Sequence, residues 1–315
     1  MPEYRAPQRD MEFLSKELLG LAHYRDLDGC EEVSDDLWDA IVDGGAKFAE
    51  KVIAPLNHPG DQQGCRFESG EVKTPDGFAA AFRQYGEDGW QALSIPVEEG
   101  GQGLPPSLGM VVGEMVCSAN YAWNMYPGLA HAPITCIRAA GSEQQKATYL
   151  PKLYSGEWAG TMCLTEAHCG SDVGLLRTRA TRNNDGSYTL SGTKTFISGG
   201  EQDMTANIIH TVLARVEGAP EGTRGISLFV VPKVLVNEDG RLGQRNAVYC
   251  GSIEKKMGIK GSATCVMNFD GAQGWLLGEE NRGLEVMFHI MNAARLGTAL
   301  QGVCLGEASF QGALA

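Results

Sequence analysis

Two short segments of this 315-residue chain carry side chains suited to chemistry on a flat polar ligand. The first is M-C-L-T-E-A-H-C-G-S-D, Met162 to Asp172, where the hydroxyls of Thr165 and Ser171 bracket a run of backbone amides around the small residue Gly170. Such a run can donate to a polar heterocycle edge or to phosphate oxygens. The second is K-T-F-I-S-G-G, Lys194 to Gly200. Its aromatic, aliphatic and hydroxyl triplet Phe196, Ile197 and Ser198 can stack on a planar ring and hydrogen-bond its edge. Taken singly, each segment reads first as a plain strand end followed by a turn. Glu166 and His168 put a carboxylate and an imidazole in the first segment, the residue types that serve general acid–base chemistry.

Other chemistries lack their residues. There is no G-x-G-x-x-G and no P-loop, and the residue two before Ser171 is Cys169, so G-x-S-x-G is not met. The six histidines include no H-E-x-x-H and no i, i+4 pair. The nine cysteines include no C-x-x-C, the nearest two being Cys163 and Cys169. An odd, scattered set reads as the reduced thiols of a cytoplasmic protein, with no metal site and no disulfide framework.

The elements that must hold these segments change character along the chain. From Ser34 to Glu157 the apolar period is helical. Leu37, Ile41, Phe48 and Val52 share a helix side that should stop near Pro55, and Phe78, Ala81, Phe82 and Tyr85 share another. Ser107 to Trp123 reads as one helical stretch, and Ser142 with Gln145 as a capping box opening a helix that ends before Pro151. Leu56–Gly64 and Pro96–Pro106 read as loops. From Trp158 to Leu277 the period becomes two. Arg177–Arg182, a turn at Asn184-Asp185-Gly186, and Tyr188–Ile197 form a predicted hairpin, with further strands at 208–216, 225–236 and 265–269. After Gly283 the helical period returns with Leu284, Met287, Phe288 and Met291. The expected fold class is therefore α+β: an N-terminal all-α block, a middle β block and the opening of a second α block. The expected boundaries are an extension at 1–33, a helical domain at 34–157, a β domain at 158–277 and a helical segment at 278–315.

Twenty-six Lys and Arg against 39 Asp and Glu give a net charge of −13, which repels phosphate backbones and argues against nucleic acid as a partner. No run approaches the roughly 20 apolar residues of a membrane span. The best, Gly225 to Val236, holds Pro232 and Lys233 and reads as a buried strand. The opening Met1 to Asp10 has no apolar core, so a secretory signal and stable membrane insertion are not expected.

Together and in this order, the two chemical segments resemble those of the acyl-CoA dehydrogenase flavoproteins. Further matching stretches are Ile253 to Asp270 and Asn281 to Gly297, and the opening M-P-E-Y-R-A-P-Q-R-D-M-E-F is similar to the N-terminal extension of the larger bacterial branch, which includes long-chain acyl-CoA and 3-methylmercaptopropionyl-CoA dehydrogenases. The resemblance implies an N-terminal all-α domain, a middle β-barrel-like domain and the start of a C-terminal helical bundle. It implies FAD as cofactor, with Met162, Leu164 and Thr165 lining the flavin ring, Ser171 near the FAD pyrophosphate and the acyl-CoA pantetheine, and Phe196, Ile197 and Ser198 along the isoalloxazine. It implies substrate contacts from Ser171, Asn292 and Arg295. Separately, Arg224 in the loop G-T-R-G-I is a candidate to meet a CoA phosphate, although loop arginines are usually solvated. The implied reaction is α,β-dehydrogenation of an acyl-CoA thioester, with electrons passed to an electron-transfer flavoprotein by a homodimer or homotetramer. An acyl-CoA oxidase and a non-catalytic acyl-CoA- or partner-binding fragment are the alternatives.

The chain departs from the family pattern in two places. Where the family commonly has Pro after the T-E pair, this chain has Ala167, His168 and Cys169. More consequentially, a minority of the family carries its catalytic glutamate immediately before the arginine matching Arg295, and here that residue is Ala294. The majority place it further along than Ala315, so no catalytic base is expected in these residues. The family's glutamate matching Glu166 is structural, and His168 reads as a loop residue.

Overall fold

The computed structural model describes residues 3–20, 26 and 33–315; the rest of the expected N-terminal extension, with Cys30, lies outside the described residues. After a short helix α1 (Gln8–Glu12), the helical block comprises α2 (Asp35–Phe48), α3 (Ala54–Gln63), a hairpin β1 (Arg66–Glu68) and β2 (Glu71–Lys73), then α4 (Phe78–Glu87), α5 (Pro106–Ala119), α6 (Tyr121–Ala140) and α7 (Glu143–Tyr154). Ser34 caps α2, and the capping box of α7 forms as predicted, with Ser142 and Gln145 bonding each other's backbone.

Four expectations in this block are corrected. The helix does not stop near Pro55: a π-helical turn, Ala49–Ile53, carries α2 into α3. Pro55 follows directly on this π turn inside the continued helix, so Leu56–Gly64 is mostly helix rather than loop. The hairpin β1–β2 was not expected at all. Ser107–Trp123 is two helices, because Asn120 is extended and accepts a hydrogen bond from Trp123 N at 3.1 Å, capping a new helix. Finally, α7 runs through Pro151, because Leu153 and Tyr154 behind it are buried and offset the roughly 3 kcal/mol cost of a helical proline.

The β block opens with β3 (Trp158–Cys163) and continues with β4 (Arg179–Arg182), β5 (Tyr188–Ser198), β6 (Asn207–Val216), β7 (Ile226–Pro232), β8 (Val234–Val236), β9 (Leu242–Arg245), β10 (Val248–Ile253) and β11 (Thr264–Leu277). The predicted hairpin is β4 with β5, antiparallel from Arg179↔Ser191 to Arg182↔Tyr188. The predicted strand 225–236 breaks at Lys233 into β7 and β8, and β11 extends well past the expected 265–269. β11 pairs with β5, β5 with β4, β4 with β6, β6 with β7, and β7 with β11, which closes a circuit of five strands. β10 joins outside β11, and β3 lies parallel to β6. Leu190, Ile197, Val212, Phe229 and Phe269 fill the interior of this circuit.

The helical block has its own core around Trp38, Phe48, Phe82 and Trp123, with Trp123 Nε1 donating to Phe78 O at 3.2 Å. A third cluster fastens the two blocks together. It combines Ile137 of α6, Leu153 of α7, Trp158 of β3 and Leu228 of β7 with Met287 and Ile290 of the last helix, α8 (Gly283–Leu314). Burying each such side chain contributes about 1.5–3 kcal/mol. The close approach of β3 to α6 needs Gly160, where a Cβ would fall 2.1 Å from Pro133 Cγ.

Candidate active site

The two chemical segments leave neighbouring strands of the β block and are laced together there. Met162 and Cys163 end β3, and Leu164 and Thr165 follow; Phe196, Ile197 and Ser198 end β5. Opposite β5, Cys265 pairs with Ile197 and Met267 with Lys194, so Thr195 and Phe196 together face the single residue Val266. This is a β-bulge, a device that re-aims side chains. It frees Thr195 N–H from β11, and that group donates to Thr165 O at 2.9 Å. It also holds Phe196 at φ 60°, a left-handed backbone that costs a non-glycine residue about 1–2 kcal/mol, and leaves the residue 62% exposed. Phe196 and Ile197 consequently diverge: Ile197 is buried in the strand-circuit core, so only its backbone faces the side that Phe196 occupies.

Beneath the bulge lies a buried ion pair that residue spacing alone did not single out. Lys194 has no exposed side-chain surface, and its Nζ donates to Leu164 O and to Glu166 Oε1, both at 2.9 Å. Glu166 accepts three further bonds, from Arg177 N at 2.7 Å, Thr178 N at 3.0 Å and Thr178 Oγ1 at 2.7 Å. Burial pushes the Glu166 carboxyl up, but the Lys194 charge and these donors outweigh it and hold its pKa at about 2. Burial pulls the Lys194 ammonium down, with Glu166 opposing. A carboxylate so satisfied is a clamp and not a proton acceptor at neutral pH. The sequence did carry one signal: Lys194 has the same parity on β5 as the buried Leu190, an inward position for a charged residue.

The loop after Thr165 folds back through reciprocal backbone bonds between Glu166 and Cys169, at 2.9 and 3.0 Å. A Cβ at Gly170 would sit 3.5 Å from Thr165 Cγ2, so the exposed Ser171 returns close to the wall. The loop bearing Arg224 packs beside the following turn, Thr223 lining a shared cleft with Asp172 and Gly174. Arg224 itself is exposed. Asn292 and Arg295 lie on an exposed stretch of α8 and bond each other, Nη1 to Oδ1 at 3.2 Å, with the Arg295 guanidinium 5.8 Å from the Phe288 ring centre. Met287 and Ile290 on the buried side of α8 share a cluster with Met162 and Leu164, which places this helix alongside the wall.

Glu166, His168 and Cys169 bring one potential metal ligand each within 4.8 Å of one another. The set suits no cation: both Glu166 oxygens already accept bonds, and the Lys194 ammonium touches one of them. The hydroxyls of Thr165, Ser171 and Ser198, by contrast, bond nothing among the described residues, and Thr195 Oγ1 is buried without a partner. Free hydroxyls beside an outward-held aromatic ring fit the polar edge and face of a flavin.

Comparison with known proteins places the two blocks in one family. The N-terminal-domain model of acyl-CoA dehydrogenases matches residues 12–157, and the middle-domain model matches 161–272. The chain belongs to the acyl-CoA dehydrogenase family. It is 44% identical over 99% of its length to 3-methylmercaptopropionyl-CoA dehydrogenase of Ruegeria pomeroyi, of which it covers 53%, and 36% identical over 98% to a butyryl-CoA dehydrogenase of Syntrophomonas wolfei, of which it covers 52%. Among solved structures, an acyl-CoA dehydrogenase of Bacillus anthracis complexed with FAD aligns at TM-score 0.70 and 27% identity, over 87% of this chain and 42% of that one. The chain thus spans about half the length of the curated dehydrogenases it matches. The dehydrogenase fold expected from the sequence is the one observed, and no helix among the described residues is long and apolar enough to cross a membrane.

Proposed function

We propose that this chain supplies the flavin-facing wall and the substrate entrance of an FAD-dependent acyl-CoA dehydrogenase acting in fatty-acid oxidation in the cytoplasm. The observation that carries this reading is the bulge at Thr195–Phe196, which holds an aromatic ring outward on a strand end that carries Ser198 and is bonded to Thr165. Bound FAD would accept the β-hydrogen as hydride. Thr165 and Ser198 donate to its polar edge, Phe196 covers the ring, the backbones of Met162, Leu164 and Ile197 set the wall's depth, and Ser171 serves both cofactor and substrate. Preorganised donors of this kind contribute by stabilising charge where it develops. Asn292 and Arg295, one helical turn apart, meet the CoA portion, and Arg295, with no carboxylate partner among the described residues, keeps its charge available; Arg224 meets a CoA phosphate. The proposed domain division is 1–33, 34–157, 158–277 and 278–315. In this reading the working enzyme is a homodimer or homotetramer and hands its electrons to an electron-transfer flavoprotein; transfer to oxygen would make it an acyl-CoA oxidase.

Proton removal needs a base that these residues do not provide, since Glu166 is clamped and Ala294 stands at the alternative position. The chain alone, given FAD and butyryl-CoA, is expected to exchange no substrate α-hydrogen with solvent deuterium. Joined to the C-terminal half of the Ruegeria pomeroyi dehydrogenase, it should bind FAD and bleach it on addition of an acyl-CoA. Exchange by the chain alone would overturn the reading of Glu166. A folded chimera that binds no flavin would overturn the wall.

A further inference from the structure

A cavity of about 580 Å³ opens between the start of β1 and the turn joining β10 to β11. That size suits a small organic ligand. Cys65, Phe67 and Ile253, on its walls, pack against the strand-circuit core that holds Ile197, the side of β5 opposite the Phe196 ring. The cavity is therefore separate from the flavin wall. Three lysines and one glutamate line it, in a chain whose net charge is −13. Lys260 lies 3.9 Å from Asp61. Lys256 is the telling residue. It is half-buried, and its Nζ donates to two neutral oxygens, Ser262 O and Thr264 Oγ1, with no carboxylate in ion-pair reach among the described residues. A partly desolvated ammonium without a counter-charge is costly. Beside it Ser262, only 2% exposed, also lines the cavity, and its hydroxyl has no partner. Buried polar groups are nearly always satisfied, and exceptions call for an explanation such as a missing ligand.

We propose that this cavity binds a phosphate group, with the Lys256 ammonium as counter-charge, the Ser262 hydroxyl as second donor and Lys255 and Lys260 at the mouth. Lysine serves phosphate as a compact point charge with a free donor proton. The apolar wall of Phe67 and Ile253 accommodates an organic body, so the ligand is a phosphate ester or, with that wall unused, free phosphate. This assignment is independent of the flavin reading. It does touch the same strands: Ala263 O accepts from Gly199 N at 2.8 Å, and Thr264 pairs with Ser198, so an occupant would steady the end of the wall.

The test titrates the 315-residue chain with inorganic phosphate and with phenyl phosphate at constant ionic strength, reading affinity from phosphorus NMR line broadening. Saturable binding that weakens at least tenfold in Lys256→Met and severalfold in Ser262→Ala is expected. Tighter binding of phenyl phosphate than of phosphate assigns the ester; equal binding assigns the free ion. Absence of saturable binding by either probe, or binding unchanged by both substitutions, overturns the site. Should Lys256→Met fail to fold, alkylation of Cys65 in the unmodified chain, mapped by peptide mass spectrometry, decides: phosphate should slow it at least threefold relative to chloride, and an unchanged rate overturns the proposal.

Discussion

Lys194 and Arg295 are both cations on the path the substrate and cofactor would share, yet their surroundings are opposite. Lys194 has no exposed surface and is held by a carboxylate and a carbonyl from a different segment. Arg295 stands on an exposed stretch of α8, bonded among the described residues only to Asn292 one turn away. The β wall is closed on itself: a five-strand circuit fixes β5, the bulge turns Phe196 outward, and the buried pair ties β5 to the segment after β3. α8 is fixed at its start by Met287 and Ile290, at Cys304 against the helical block, and near its end by Gln311, which donates to Arg5 O and accepts from Arg5 N. Between these anchors Leu296, Val303 and Phe310, and beyond them Leu314, stay exposed. The lesson is that a cofactor wall can be rigid in its own right, whereas groups on a lone helix face gain fixed positions only from whatever covers them.

The comparison breaks most severely at the buried pair. Glu166→Ala leaves the Lys194 ammonium uncompensated in the interior and should cost about 3–5 kcal/mol in urea denaturation; a loss below 1 kcal/mol would show that the pair does not hold the wall. Glu166→Gln, which retains the shape, should cost less. The same pair sets a pH dependence. The folded-state pKa of Glu166 is depressed to about 2 from an ordinary 4.5, so its contribution is present above the ordinary value and drains away as pH falls from there toward 2. Stability measured from pH 6 down to pH 2 should fall less steeply in Glu166→Gln than in the unmodified protein.

A smaller and more telling effect is expected at the bulge. Phe196→Gly removes the left-handed strain of about 1–2 kcal/mol, offset in part by the roughly 0.5–1 kcal/mol entropic cost of glycine, and its exposed ring loses little burial. Stability should therefore rise or hold, while flavin affinity of the chimera falls about tenfold. Stability and affinity falling together would mean that the ring packs for the fold and not for a ligand.

How much of this was readable in advance follows the same division. The α, β, α order was legible because burial imposes period 3.6 on one kind of element and period 2 on the other, and both chemical segments lie at strand ends as read. What sequence could not give arises from tertiary context. Pro55 and Pro151 are tolerated because a π turn or a buried Leu153 offsets them. Phe196 and Ile197, read as one surface, separate because the bulge inserts a residue that only the pairing with β11 reveals. The clamp role of Glu166 depends on donors from Arg177 and Thr178, which no spacing rule brings to it. Asn292 and Arg295 were legible as a helical pair, since i, i+3 spacing alone puts them on one face.

The exposed face of α8 sharpens the contrast from its weak side. Leu296 is 63% exposed and belongs to none of the hydrophobic clusters among the described residues, so Leu296→Gln removes almost no packing. The expected change in the urea midpoint corresponds to less than about 0.5 kcal/mol, the range for surface substitutions away from special features. Its influence lies between molecules instead. Apolar residues spaced along one helix offer a surface that associates to escape water, and replacing Leu296 together with Phe310→Ser should shift sedimentation velocity of the chain toward the monomer without moving that midpoint. A destabilisation above 1 kcal/mol would mean that α8 packs more tightly on its exposed side than its surface area indicates, and the contrast between a self-supporting wall and an uncovered helix would then fail at the helix.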